Sequence, residues 1–116
     1  MRIALFGDIH ANLEALNAVL DDAAGQGCSE WVCLGDVVGY NANPSECLEL
    51  VRAMECPVVK GNHDDDASGD HSLETMNPTA ATALEWTREH LSEEQREWLR
   101  GLRMVRQVSN FTIVPS

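Results

Sequence analysis

The sequence predicts an α/β fold with parallel strands and crossover helices, and three observations carry that expectation. A short apolar, β-prone run ending in glycine and a metal-type polar residue occurs three times within the first 64 residues. Stretches with helical periodicity fill the intervals between these runs. The resulting order of strand, helix, strand, helix, strand is the one that parallel strands with right-handed crossovers require.

The first strand is read from Arg2 to Phe6, leading into Gly7-Asp8-Ile9-His10. A helix follows, with Leu13, Leu16, Val19 and Leu20 at helical spacing, Asn12 as its cap and Gly25 near its stop. The second strand, Trp31-Val32-Cys33-Leu34, runs into Gly35-Asp36. A second helix opens with Asn43 as cap, Pro44 at its first position and Glu46 closing a box-like arrangement. Leu48, Val51 and Met54 give that helix an apolar face. The third strand, Val58-Val59-Lys60, runs into Gly61-Asn62-His63-Asp64.

Asp64 to Asn77 is acidic and rich in small residues, and reads as a long loop. Asn77-Pro78 opens a helix reaching about His90, and Ser92-Glu93-Glu94-Gln95 is a capping box for another that stops near Gly101. Met104 to Val108 and Phe111 to Val114, around Ser109-Asn110, read as a hairpin. The 116 residues fit one domain. The last apolar strand, so close to Ser116, leaves an edge to be paired, from which truncation at the C-terminus is expected.

Composition narrows the function. Hydrophobic residues make up 44% and charged residues 23%, the balance of a soluble globular chain. No stretch approaches the roughly 20 apolar residues of a membrane span, and the N-terminal run is too short for a signal peptide. The expected compartment is the cytoplasm, without membrane attachment. Cys28, Cys33, Cys47 and Cys56 form no C-x-x-C pair and are expected as small apolar fillers. A net charge of -11 argues against non-specific nucleic-acid binding. The same charge repels a phosphate ester unless bound cations reverse the local field.

Side chains at the carboxyl ends of parallel strands converge in a crevice. Asp8, His10, Asp36, Asn62 and His63 are therefore expected together. Among them Asp8, His10, Asp36 and Asn62, two carboxylates, an imidazole and an amide oxygen, suit Mn, Fe, Zn or Ni better than calcium. Neither G-x-G-x-x-G nor G-x-x-x-x-G-K-[ST] occurs, and no organic cofactor is expected.

Gly7-Asp8-Ile9-His10-Ala11-Asn12, Gly35-Asp36-Val37-Val38-Gly39-Tyr40 and Gly61-Asn62-His63-Asp64 resemble, in order and spacing, the first three signature blocks of the calcineurin-like metallophosphoesterases. The resemblance implies the first half of a four-layer α/β/β/α sandwich. It implies that Asp8 and His10 bind one divalent metal, Asn62 a second, and that Asp36 bridges them. A hydroxide held between the metals would attack phosphorus in a phosphomonoester or phosphodiester. His63 would be the general acid or a donor to the phosphoryl oxygens, Asp64 would orient His63, and Asn12 would touch the phosphate. The later blocks of the family, a lone strand-end histidine and a Gly-His-x-His motif, do not occur. An incomplete sandwich is expected to expose apolar surface and to associate with further copies.

Plainer readings stand beside these. Asp8 could cap the first helix, and Asp36 and Asn62 could be turn residues. His71 reads as a solvated loop residue, His90 as a partner of a helix C-terminus, and Trp31, Trp86 and Trp98 as packing residues. Tyr40 and Asn41 fit a pocket wall or a turn equally. A non-catalytic metal-binding or scaffold module is the alternative function. A phospho-accepting receiver fits less well, because Lys60, the only lysine, comes just before Gly61.

Overall fold

The computed structural model describes residues 2–115. Strand β1 (Ile3–Phe6) pairs in parallel with β2 (Glu30–Cys33), from Ile3 opposite Glu30 to Phe6 opposite Cys33. Helix α1 (Leu13–Gly25) forms the crossover. Its cap is the expected one: Asn12 Oδ1 accepts the Ala15 N–H at 3.0 Å. The chain continues through α2 (Pro44–Ala53), α3 (Asn62–Ser68), α4 (Pro78–Glu89) and α5 (Glu93–Arg100). It ends in an antiparallel hairpin of β3 (Arg106–Val108) and β4 (Phe111–Ile113), with Ser109 at positive φ in the turn.

The expected third strand is reduced to two parallel bridges, Val58 to Cys33 and Val59 to Arg103. Pro57 has no N–H to extend the ladder upstream, and Gly61 caps a helix at once, so only residues 58–60 remain to pair. Two other expectations are corrected. The acidic stretch from Asp64 is not loop throughout, because its first residues belong to α3. The end of α3 and the coil that follows are tied down: Arg88 donates to the Asp66 and His71 carbonyls, Arg100 to that of Ser68 and Arg96 to that of Gly69. Asn43 does not cap α2 with its side chain. Its Nδ2 donates instead to Glu46 Oε2 at 2.6 Å.

Phe6, Leu16, Cys33, Leu48, Ala67, Leu84 and Leu99 belong to one buried cluster joining β1, β2 and the five helices α1 to α5. Val32, Val59 and Ile113 form a second cluster on the hairpin side. Burial at this level contributes roughly 25 cal/mol per Å2 of apolar area. The four cysteines are free, with Cys33 and Cys47 buried as fillers. Leu5, Val19, Met104, Val105 and Val114 remain exposed. Among the described residues no helix is long and apolar enough to cross a membrane.

Candidate metal centre

Three loops build the site: residues 7–12 after β1, residues 34–43 after β2, and Gly61 at the start of α3. They are laced together by backbone bonds. Asp8 N donates to the Gly35 carbonyl at 3.1 Å, His10 N to that of Asp36 at 2.8 Å and Ala11 N to that of Val37 at 2.9 Å. Backbone strain gathers here. Asp8, His10, Ala11, Asp36 and Tyr40 all adopt positive φ, a region that non-glycine residues occupy at a cost.

Two glycines permit the close approach. A Cβ on Gly35 would meet Gly61 N and the Val59 carbonyl at 2.7 Å. A Cβ on Gly61 would lie 2.1 Å from Asp36 Oδ1. At these two strand exits the glycine is therefore a spacing requirement of the site.

His10, Asp36 and His63 come together, with one ligand-type atom from each lying within 4.8 Å of the others. Asp36 is 4% exposed. Its Oδ1 accepts the backbone N–H of His63 at 3.0 Å and lies 3.5 Å from His63 Nδ1. That nitrogen is buried and, among the described residues, has no hydrogen-bond partner; the 3.5 Å approach to the carboxylate lacks hydrogen-bonding geometry. A buried nitrogen lone pair left open beside a carboxylate is costly unless a proton or a cation serves it. Two imidazoles and a carboxylate are a suitable donor set for a divalent transition metal. The residues present fit a cation.

Asp8 is more peripheral. It is exposed, with Oδ1 3.7 Å from His10 Nε2. Asn62 is the exposed first residue of α3, next to His63. His63, expected as an acid, thus sits inside the metal-sized group, while Asp8 and Asn62, expected as ligands, flank it.

Asp64 departs from its expected role of orienting the His63 ring. It is fully buried, and both its oxygens are occupied by backbone amides. Oδ2 accepts from Asp36 N at 2.8 Å and Gly61 N at 3.0 Å. Oδ1 accepts from Val37 N at 2.9 Å and Val38 N at 3.2 Å. The carboxylate therefore shapes the loop that carries Asp36. Burial pushes its pKa up to about 6, against the lowering pull of the Gly61 and Val38 amides.

Asn12 lines a cleft of about 210 Å3 together with Asp8, His10 and Asn41, although its Oδ1 is already engaged in the helix cap. Tyr40, left open between pocket and turn, has its ring centroid 5.1 Å from that of His10 and 4.6 Å from that of His63. Asn41 donates from Nδ2 to the His10 carbonyl at 2.9 Å, holding that loop. Nothing but their place directly after the Gly35-Asp36 block signalled either residue. The plainer readings of His71 and His90 fit their contacts: His71 pairs with Asp66 at 3.0 Å, and His90 Nδ1 lies 2.8 Å from the Trp86 carbonyl. Trp31 and Trp98 pack against the main core, but Trp86 is 38% exposed, so packing does not account for it.

Comparison with known proteins bears on these features. The calcineurin-like phosphoesterase family pattern matches residues 1–114. An uncharacterized protein of Methanocaldococcus jannaschii is 47% identical over 103 residues, covering 89% of this chain and 42% of that protein. A metallophosphoesterase of Sphaerobacter thermophilus superposes with a TM-score of 0.81 at 42% identity, over 97% of this chain and 45% of its own. A hypothetical protein of Pyrococcus horikoshii shares the fold, with a TM-score of 0.79 at 24% identity, over 90% of this chain and 48% of its own. The chain spans less than half the length of each of these relatives. On the family match and the shared fold, it belongs to the calcineurin-like phosphoesterases.

Proposed function

We propose that this chain carries the N-terminal part of the metal centre of a hydrolase acting on phosphomonoesters or phosphodiesters. The observation supporting this most directly is the convergence of His10 and the buried Asp36 with His63 in one metal-sized group. Asp8, His10, Asp36 and Asn62 would hold two divalent transition metals of the Mn, Fe, Zn or Ni type, with Asp36 shared between them. When bound, such cations supply Lewis acidity, offsetting phosphate charge and making water acidic enough to act as a nucleophile near neutral pH.

The remaining work falls to the chain itself. Asp64 fixes the Asp36 loop, and Asp36 in turn fixes the start of α3, so His63 is presented from a rigid element. With Nδ1 turned towards Asp36, Nε2 is the nitrogen left to carry a proton to the leaving oxygen. Asn12, on the cleft beside Asp8, would touch a phosphoryl oxygen through its amide nitrogen, its Oδ1 being held in the helix cap.

Hydrolysis of para-nitrophenyl phosphate and bis(para-nitrophenyl) phosphate with added Mn2+ or Ni2+ tests this reading. Turnover of either ester that falls at least about 100-fold in Asp36→Asn supports it. Equal turnover in that variant removes Asp36 from the metal centre.

A further inference from the structure

A groove lined in part by Tyr40 contains none of the candidate metal ligands. It has a volume of about 520 Å3 and is lined by Tyr40, Pro78, Thr79, Thr82, Ala83 and Trp86. Two features make it unlike an ordinary surface depression. Tyr40, the only tyrosine, is 56% exposed and is held at φ +69, a conformation a bulky residue adopts only where its surroundings impose it. Its ring touches the rings of both His10 and His63, so one wall of the groove is also a wall of the metal centre. On the α4 side stands Trp86, exposed but braced by stacking on His90 at 3.8 Å between centroids.

We infer that this groove is a subsite for the planar aromatic ring of a phosphate ester, with a nucleobase as the ring it fits best. Two exposed aromatic residues lining one groove offer the π-faces on which a base stacks, and such stacking tolerates any base. Thr79 and Thr82 among the lining residues bring hydroxyl groups, which suit the polar edge of a nucleobase better than a bare phenyl ring. Tyr40 ties the groove to the histidines, so a ring held there directs its ester phosphate towards them. The assignment of the phosphate end rests on the phosphoesterase reading above; the ring end does not.

The test is a binding measurement, independent of turnover. Calorimetric titration of the Mn2+-loaded protein compares adenosine 5′-monophosphate with methyl β-D-ribofuranoside 5-phosphate, in which a methoxy group replaces the base. Affinity about tenfold higher for adenosine 5′-monophosphate is expected, with Trp86→Ala erasing the difference. Thr82→Glu, at an exposed groove position, should also erase it, and keeps the test open should Trp86→Ala not fold. Equal affinities in the parent protein, or no measurable binding of either, overturn the subsite. Hydrolysis without base preference removes the subsite and leaves the phosphoesterase. Base preference in binding without hydrolysis on any metal does the reverse.

Discussion

Asp64 and Asp36 act on each other through the backbone: the Asp64 carboxylate accepts the Asp36 N–H at 2.8 Å, and Asp36 Oδ1 accepts the N–H of His63, the residue before Asp64, at 3.0 Å. Two buried acids this close would ordinarily repel. Here each is satisfied by amide donors of the other's segment, which locks the second and third loops together.

Removing the Asp64 carboxylate strands four buried N–H groups at once. Each unsatisfied donor costs about 1–3 kcal/mol, and relaxation recovers part of the sum. Asp64→Ala is expected to lower the unfolding free energy by at least about 3 kcal/mol, read by urea denaturation. A change below about 1 kcal/mol contradicts the role given to Asp64.

The same residue sets a pH dependence. Its pKa is raised in the folded state, from an ordinary 3.8 to about 6, so the folded chain binds this proton more tightly than the unfolded one. The associated stability is fully present below about 4 and is lost as pH rises through about 6. In the presence of a chelator, the unfolding free energy of the parent should decline across that window relative to Asp64→Asn, which lacks the titrating group. Parallel profiles contradict the shift.

Gly61→Ala places a methyl where Asp36 Oδ1 lies, at 2.1 Å. Overpacking of this kind costs about 1–3 kcal/mol. Because the displaced group is a candidate ligand, metal affinity should fall about 10–100-fold, as when a ligand's support is lost. Fluorescent-chelator competition with Zn2+ measures this; unchanged affinity contradicts the placement of Asp36.

Burial holds the thiols in their protonated form, with Cys33 pushed up to about 12, Cys47 to about 11 and Cys56 raised as well. Iodoacetamide at pH 8 should label Cys28 first and leave Cys33 and Cys47 unmodified until the chain is unfolded. Mass spectrometry of the labelled peptides checks the order.

Much of this was legible in local sequence. Asn12, Ser92 and Gln95 form the caps their positions suggest, and the Gly7-Asp8, Gly35-Asp36 and Gly61-Asn62-His63 exits do converge. The failures share a cause. Val58-Val59-Lys60 has the composition of a strand, but its extent is set by Pro57 and Gly61 and by which neighbours reach it. Asp64 looks like a partner for the adjacent imidazole, yet its carboxylate is claimed by amides that lie 25 or more residues away in three of four cases. Tyr40 is signalled only by its place after Gly35-Asp36, which does not decide between a turn and its contacts with His10 and His63. Each depends on long-range geometry that a single sequence does not encode in its periodicity.

Asp8, His10, Asp36 and Asn62, with His63 set against Asp36, are proposed to surround divalent transition metal. Elemental analysis after loading with Mn2+ and removal of excess tests this most directly. Two metal ions per chain are expected in the parent, with their loss in Asp36→Asn while circular dichroism shows the fold retained. Parent protein without bound metal, or Asp36→Asn with undiminished content, would contradict it.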